Sequence, residues 1–231
     1  ASPAICIGGN TNISVVGGSL GTGASWKWYA GGCASGASIG TGPSINVNPT
    51  QTTTYYVRAE GDCNNTTCAS VQVTVNPASA GGTLASDSTI CAGSNSGLLT
   101  LSGYSGSILR WEGSNTNAVG SYSAIGNTTG LTSFTSGALY QDVWVRVVVQ
   151  SGSCAEATSN PVKITSQWGV GNNYIDESQI VCRGSAPAGL TGYTPSGGDG
   201  NFSYQWQSRT TGSWSNISGA TGKNYAPGAI T

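Results

Sequence analysis

Several short runs of the chain alternate apolar and polar residues. Val71, Val73 and Val75 point one way while Gln72 and Thr74 point the other, and Val143, Val145, Val147 and Val149 share a face opposite Trp144 and Arg146. Period two with one apolar face predicts antiparallel sheets, packed on one side and wet on the other. Between these runs lie Gly, Asn and Ser clusters, the residues of turns. Val, Thr, Tyr and Trp suit a pleated, half-buried surface, and with Met missing and Glu and Lys scarce the pattern predicts an all-β chain.

Three segments carry one order of features. Each opens on an apolar-Cys-x-Gly step: Ile5-Cys6-Ile7-Gly8, Ile90-Cys91-Ala92-Gly93 and Val181-Cys182-Arg183-Gly184. Each then reaches a Trp-bearing strand, at Trp26-Lys27-Trp28, Leu109-Arg110-Trp111 and Tyr204-Gln205-Trp206. The first two continue through a Val-Arg strand (Tyr55 to Arg58, Val143 to Arg146), a Cys-bearing hairpin (Cys63, Cys154) and a closing strand (Val71 to Val75, Val162 to Ile164). The opening cysteines recur after 85 and 91 residues, the size of a small sandwich. The expected fold is therefore tandem immunoglobulin-like antiparallel β-sandwich domains at 1–77, 78–166 and 167–231, the third partial, with boundaries near Asn76-Pro77 and Gln167. Trp28, Trp111 and Trp206 occupy one place in the repeat and are expected between the sheets. Trp144 and Trp214 are the more exposed candidates for ligand contact.

Charge narrows the function. Charged residues make up 7% of the chain and the formal net charge is -1, so it lacks the basic surface that a nucleic-acid partner requires. Apolar runs such as Val147-Val148-Val149 are far shorter than the roughly 20 residues of a membrane span. With no Met and no basic-plus-apolar leader, the sequence is expected to be an internal or processed segment. The 7 Cys come with 0 His and no Cys-x-x-Cys pair, which favours structural disulfides in an exported protein over zinc.

Taken together, Trp28-Tyr29, Ile39-Gly40-Thr41-Gly42 and Thr52-Thr53-Thr54-Tyr55-Tyr56-Val57 resemble the Ig-like repeats of Bacteroidetes-type surface proteins. Tyr204-Gln205-Trp206-Gln207, Ile217 to Thr221 and Tyr225-Ala226-Pro227-Gly228 are similar to a sister repeat of the same proteins, and Arg110-Trp111-Glu112 with Val149 to Cys154 extends the likeness through the second segment. The resemblance implies a type IX secretion substrate displayed on the outer surface, similar to gliding-motility adhesins, in which sandwiches serve as stalks, spacers or adhesive units. The leading expectation is a non-catalytic segment of a cell-surface adhesin or fibre, its ligand an unspecified protein or polysaccharide and its neighbours further copies in a fibre. The alternative is a spacer in a secreted polysaccharide-degrading enzyme. Asp87-Ser88-Thr89 resembles the Asp-Ser/Thr-x O-glycosylation acceptor of exported proteins in these bacteria, so a glycan is expected on Ser88.

Catalytic chemistry finds little purchase. Without His the usual Ser and Cys triads are closed. The carboxylates are scattered singly, and the adjacent Asp176 and Glu177 would point to opposite faces of a strand. Asp176, Glu177 and Asp199 are calcium candidates, but no Asp-x-Asp-x-Asp-Gly loop accompanies them and a solvated turn is the better reading. No cofactor is expected. Arg58 and Arg146 stand at equivalent outward positions and are expected to pair with a carboxylate or lie over the sheet.

Cys91 and Cys154 are the two cysteines of the second segment and are expected to bond. Cys6, Cys33, Cys63 and Cys68 allow three pairings; alignment of the repeats favours Cys6 with Cys63, and a Cys63–Cys68 hairpin bridge competes. The third segment reaches Thr231 before any counterpart of the Val-Arg strand, the Cys hairpin or the closing strand. It is expected to be completed by continuing chain, with a further Cys, or by strands of another chain.

Overall fold

The structure, a computed structural model, describes residues 3–176 and 178–230 and contains no helix among them. Its contacts divide the chain into two compact units, one of Ala1–Asp87, Gly97–Thr135 and Val143–Lys163, the other of Ser88–Ser96, Ser136–Asp142 and Ile164–Thr231.

The first repeat holds β1 (Ala4–Cys6), β2 (Thr11–Ser14), β3 (Ser25–Ala30), β4 (Gly40–Thr41), β5 (Ser44–Val47), β6 (Thr53–Glu60) and β7 (Ala69–Asn76). They form a sheet ordered β1-β7-β6-β3-β4 and a second, two-stranded sheet β2-β5. The sheets enclose Trp28, which is 1% exposed, with Ile5, Ile13, Val47, Tyr55, Val57 and Val73. The alternation expected for Val71 to Val75 is realised, with Val73 sealed and Gln72 exposed. One pairing departs from antiparallel: β1 runs parallel to β7, in the register Ala4↔Thr74 to Cys6↔Asn76.

The second repeat copies this plan. It comprises β8 (Ser88–Cys91), β9 (Leu99–Thr100), β10 (Ser107–Ser114), β11 (Ser123–Ile125), β12 (Ser133–Phe134), β13 (Val143–Gln150), β14 (Ala157–Thr158) and β15 (Val162–Gln167). Within the first unit, β10 pairs antiparallel with β11 and β13, and β9 with β12. Trp111 is fully buried, 5.4 Å from the ring of Phe134, beside Val145, Val147 and Val149. Within the second unit, β8 lies parallel to the end of β15, from Ser88↔Ile164 to Cys91↔Gln167. The opening strand thus runs parallel to the closing strand in both repeats.

The third repeat contains β16 (Leu190–Thr191), β17 (Gln207–Ser208), β18 (Ser215–Asn216) and β19 (Asn224–Tyr225). β16 pairs with β19 as β2 does with β5, and β17 pairs with β18 as β3 does with β4. No counterpart of β6 and β7 occurs among its described residues, and none of its described aromatic side chains is fully buried.

Candidate functional site: the bridged repeat junction

Cys6 closes β1, and Cys154 sits in the hairpin that follows β13. The two are bonded, Cα–Cα 4.8 Å, across a sequence separation of 148. A second bond joins Cys33 to Cys68 at 5.9 Å within the first repeat. Among the described residues Cys63, Cys91 and Cys182 are unbonded and exposed.

This pairing overturns two expectations: Cys91 does not bond Cys154, and Cys63 bonds neither Cys6 nor Cys68. Strand direction is the reason. Because β8 is parallel to β15, Cys91 stands beside the last residue of the closing strand. Cys154 belongs to the hairpin before that strand begins. By the same logic Cys6, level with Asn76 at the end of β7, is delivered to the start of the second repeat.

Polar contacts seat the bridge. Asn76 Nδ2 donates to Ser153 Oγ at 3.2 Å, Ser151 N–H donates to Ser79 Oγ at 2.9 Å, and Cys154 Sγ lies 3.1 Å from the Pro77 carbonyl oxygen. Leu84 N–H donates to Asn160 Oδ1 at 2.8 Å. Gly81 backs onto Thr158 so closely that a Cβ there would lie 2.0 Å from the Thr158 carbonyl. The segment after β7 is therefore a packed junction rather than a slack tether.

On the long sheet of each of the first two repeats, two cations hold one carboxylate. Glu60 accepts from Lys27 at 3.0 Å, from Arg58 at 2.7 Å and from the Tyr29 hydroxyl. The Tyr29 hydroxyl first, then Lys27 and Arg58, hold the Glu60 carboxyl down at about 2. Glu112, only 5% exposed, is gripped by Arg110 and Arg146 at 2.8 Å each, and Arg146 also covers the Tyr122 ring at 3.9 Å. The expected pairing of Arg58 and Arg146 with carboxylates is thus what the structure contains.

The remaining candidates lie apart. Trp214 is 58% exposed under Arg209, whereas Trp144 is only half-buried, with Lys163 Nζ 5.0 Å from its ring centre. Asp199 accepts from Asn201 N–H and Nδ2, a turn contact that lowers its pKa, and Asp176 is exposed. Glu177 lies outside the described residues. No group of three or more metal-ligating side chains occurs among the described residues. Ser88 stands in β8 with its Oγ buried and unpartnered, so the expected glycan has no accessible oxygen where the strand is paired. No described helix is long and apolar enough to cross a membrane.

Sequence alone missed one further feature, an open aromatic cleft of about 610 Å³ in the third repeat. Tyr174, Tyr193, Trp206 and Trp214 line it, and Tyr174 and Tyr193 have ring centres 4.3 Å apart. Only the expectation of a partial third repeat pointed toward it.

Residues 1–77 match the family described as "Ig-like domain CHU_C associated", and residues 80–167 and 171–231 match the family described as "Domain of unknown function (DUF8696)". No curated protein matches the chain. Among solved structures, murine CEACAM1b is similar at 16% identity over 71% of this chain and 96% of its own, with a TM-score of 0.46. Titin domains A168–A170 are similar at 15% identity over 71% and 61%, TM-score 0.47. Sidekick-1 immunoglobulin domains 1–4 are similar at 12% identity over 100% and 64%, TM-score 0.39.

Proposed function

The chain belongs to the family described as a domain of unknown function (DUF8696), and we propose that it serves as a run of non-catalytic modules in an exported, surface-displayed adhesin or fibre. The domains of this reading are 1–77, 78–166 and 167–231. One observation carries it: the Cys6–Cys154 disulfide fastens two consecutive sandwiches to each other rather than closing either one. A catalytic domain gains little from such a bond, whereas a stalk that transmits tension between its ends gains covalent continuity past a noncovalent joint. Disulfides of this kind persist in oxidising compartments, which supports the reading of an exported segment. The Ig-like match at 1–77 supports the bacterial surface reading, with type IX export as its route. The open face of the third repeat accepts further strands, supplied by the same chain or by a neighbouring copy in a fibre.

Antibodies against the chain provide the test. They should label intact cells and lower attachment of those cells to surfaces several-fold. Labelling with no effect on attachment would favour the stalk role over the adhesive one. Labelling that appears only after lysis would remove the surface reading altogether.

A further inference from the structure

The Cys6–Cys154 bridge joins two elements that recur in the chain. The first is the Cys-x-Gly turn. In Cys6–Gly9, Cys91–Ser94 and Cys182–Ser185 the N–H of the fourth residue donates to the cysteine carbonyl, at 2.8, 3.0 and 3.0 Å. The third residue is a glycine with φ of +81°, +87° and +81°, a left-handed conformation that side-chain-bearing residues rarely adopt. Two of these turns are docked alike on the end of their closing strand, with Ile7 N–H donating to Asn76 O at 2.9 Å and Ala92 N–H to Gln167 O at 2.8 Å. The second element is the hairpin after the Val-Arg strand, which carries Cys63 beyond β6 and Cys154 beyond β13.

The observed bond runs from the turn of one repeat to the hairpin of the next. Sorted by element, the unbonded cysteines are Cys91 and Cys182, both in turns, and Cys63, in a hairpin, and all three are exposed. Each is one half of the pair that Cys6 and Cys154 complete. We propose that turn and hairpin are complementary halves of a covalent coupling between Ig-like repeats, and that Cys63 of one copy of this chain accepts Cys91 or Cys182 of a second copy, head to tail. The coupling rests on the tandem-repeat reading and not on the adhesive one.

The chemistry is dithiol oxidation by a small disulfide such as glutathione disulfide. The Cys63 thiolate attacks a glutathione sulfur, its S–S bond breaks, and one glutathione thiolate leaves. The turn cysteine's thiolate then attacks the Cys63 sulfur of the mixed disulfide and expels the second glutathione. Two protein thiols are oxidised to one disulfide, and one glutathione disulfide is reduced to two thiols.

The test uses the full chain at micromolar concentration in a glutathione redox buffer, followed by non-reducing electrophoresis and peptide mapping of the linked species. The expected product is a covalent dimer whose intermolecular bridge pairs Cys63 with Cys91 or Cys182, while the Cys6–Cys154 peptide persists. Cys63→Ser should lower that dimer about ten-fold, and so should Cys91→Ser combined with Cys182→Ser. All of these cysteines are exposed, so the variants should fold, and retention of the Cys6–Cys154 peptide checks that they do. The proposal is overturned by bridges that pair like with like as often as turn with hairpin, by an undiminished dimer in Cys63→Ser, or by thiols that stay fully alkylatable.

Discussion

The second and third repeats hold the same tryptophan in the same bond but in opposite surroundings. Trp111 Nε1–H donates to Leu131 O at 2.8 Å and Trp206 Nε1–H to Gly222 O at 2.9 Å, as Trp28 does to Gly42 O at 2.9 Å. Yet Trp111 is fully buried, and Trp206 stands half-buried in an open cleft. The indole bond reaches a carbonyl 14, 20 or 16 residues further along, beyond the next short strand, in a segment that each repeat contains. Burial is made by strands such as β13, which pairs with β10 along its length and has no counterpart among the described residues of the third repeat. Position is thus a local property of this fold, and the core is a long-range one.

The largest effect that would sharpen the contrast is at the junction, which ties the two closed repeats together and leaves the open one out. Replacing both Cys6 and Cys154 by Ser removes a link across 148 residues. In the chain-entropy view this costs up to about 5 kcal/mol when both repeats unfold together. Calorimetry should show the transitions of the first two repeats moving down while that of the third stays in place. Movement of the third transition by a similar amount would break the contrast.

Next in size is the core itself. Trp111→Ala should destabilise its repeat by about 4 kcal/mol, within the range for large-to-small changes in a sealed core. Trp206→Ala should cost about 1 kcal/mol, since part of its surface is already wet. Denaturant unfolding followed by far-UV circular dichroism would compare the two. Equal losses would mean that the cleft around Trp206 is closed in solution.

How much of this was legible in the sequence follows from the same division between local and long-range. Alternation at Val71 to Val75 and the recurring Trp positions identified strands and core, because side-chain period and local turns determine both. The disulfides were misread because counting cysteines per repeat assumes that each repeat closes on itself. What decides the partner is that β1 and β8 run parallel to β7 and β15, and a pairing direction leaves no mark on alternation. The polar neighbourhood of Ser88 suggests exposure, whereas its side-chain oxygen is buried in β8. Ile180-Val181-Cys182 has the apolar-Cys step of the other two repeats and yet forms no strand, since an opening strand here exists only beside a closing one.

A smaller effect is expected where the closed repeats carry ion clusters and the third carries amides. Gln205 and Gln207 flank Trp206, where Arg110 and Glu112 flank Trp111. Glu112→Gln leaves Arg110 and Arg146 facing an uncharged amide in a largely buried position. A loss of about 2 kcal/mol is expected, less than for a fully buried pair because both guanidinium groups keep some contact with water. Gln207→Glu in the third repeat should change stability little, since among the described residues no arginine pair stands opposite to reward the charge. Thermal unfolding of both variants would check this, and a comparable response from the two positions would erase the distinction.

The smallest effect concerns acid. Glu60 sits in the first repeat with its carboxyl held at about 2, against an ordinary value of 4.5, chiefly by the Tyr29 hydroxyl and then by Lys27 and Arg58. A folded-state value below the unfolded one means that the unfolded chain binds the proton more readily. The cluster's contribution is therefore complete above pH of about 4.5 and drains away as pH falls toward about 2, where Glu60 becomes protonated in the folded state as well. The side chain is 16% exposed, and screening keeps the effect modest. The unfolding midpoint of the first repeat should fall across that window in low salt, and fall less in high salt. Glu60→Gln should flatten this slope while leaving the plateau above pH 5 lower than in the parent. A slope that survives the substitution would assign the acid sensitivity to other carboxylates, of which Glu156, lowered by Arg110 in the second repeat, is the first to examine.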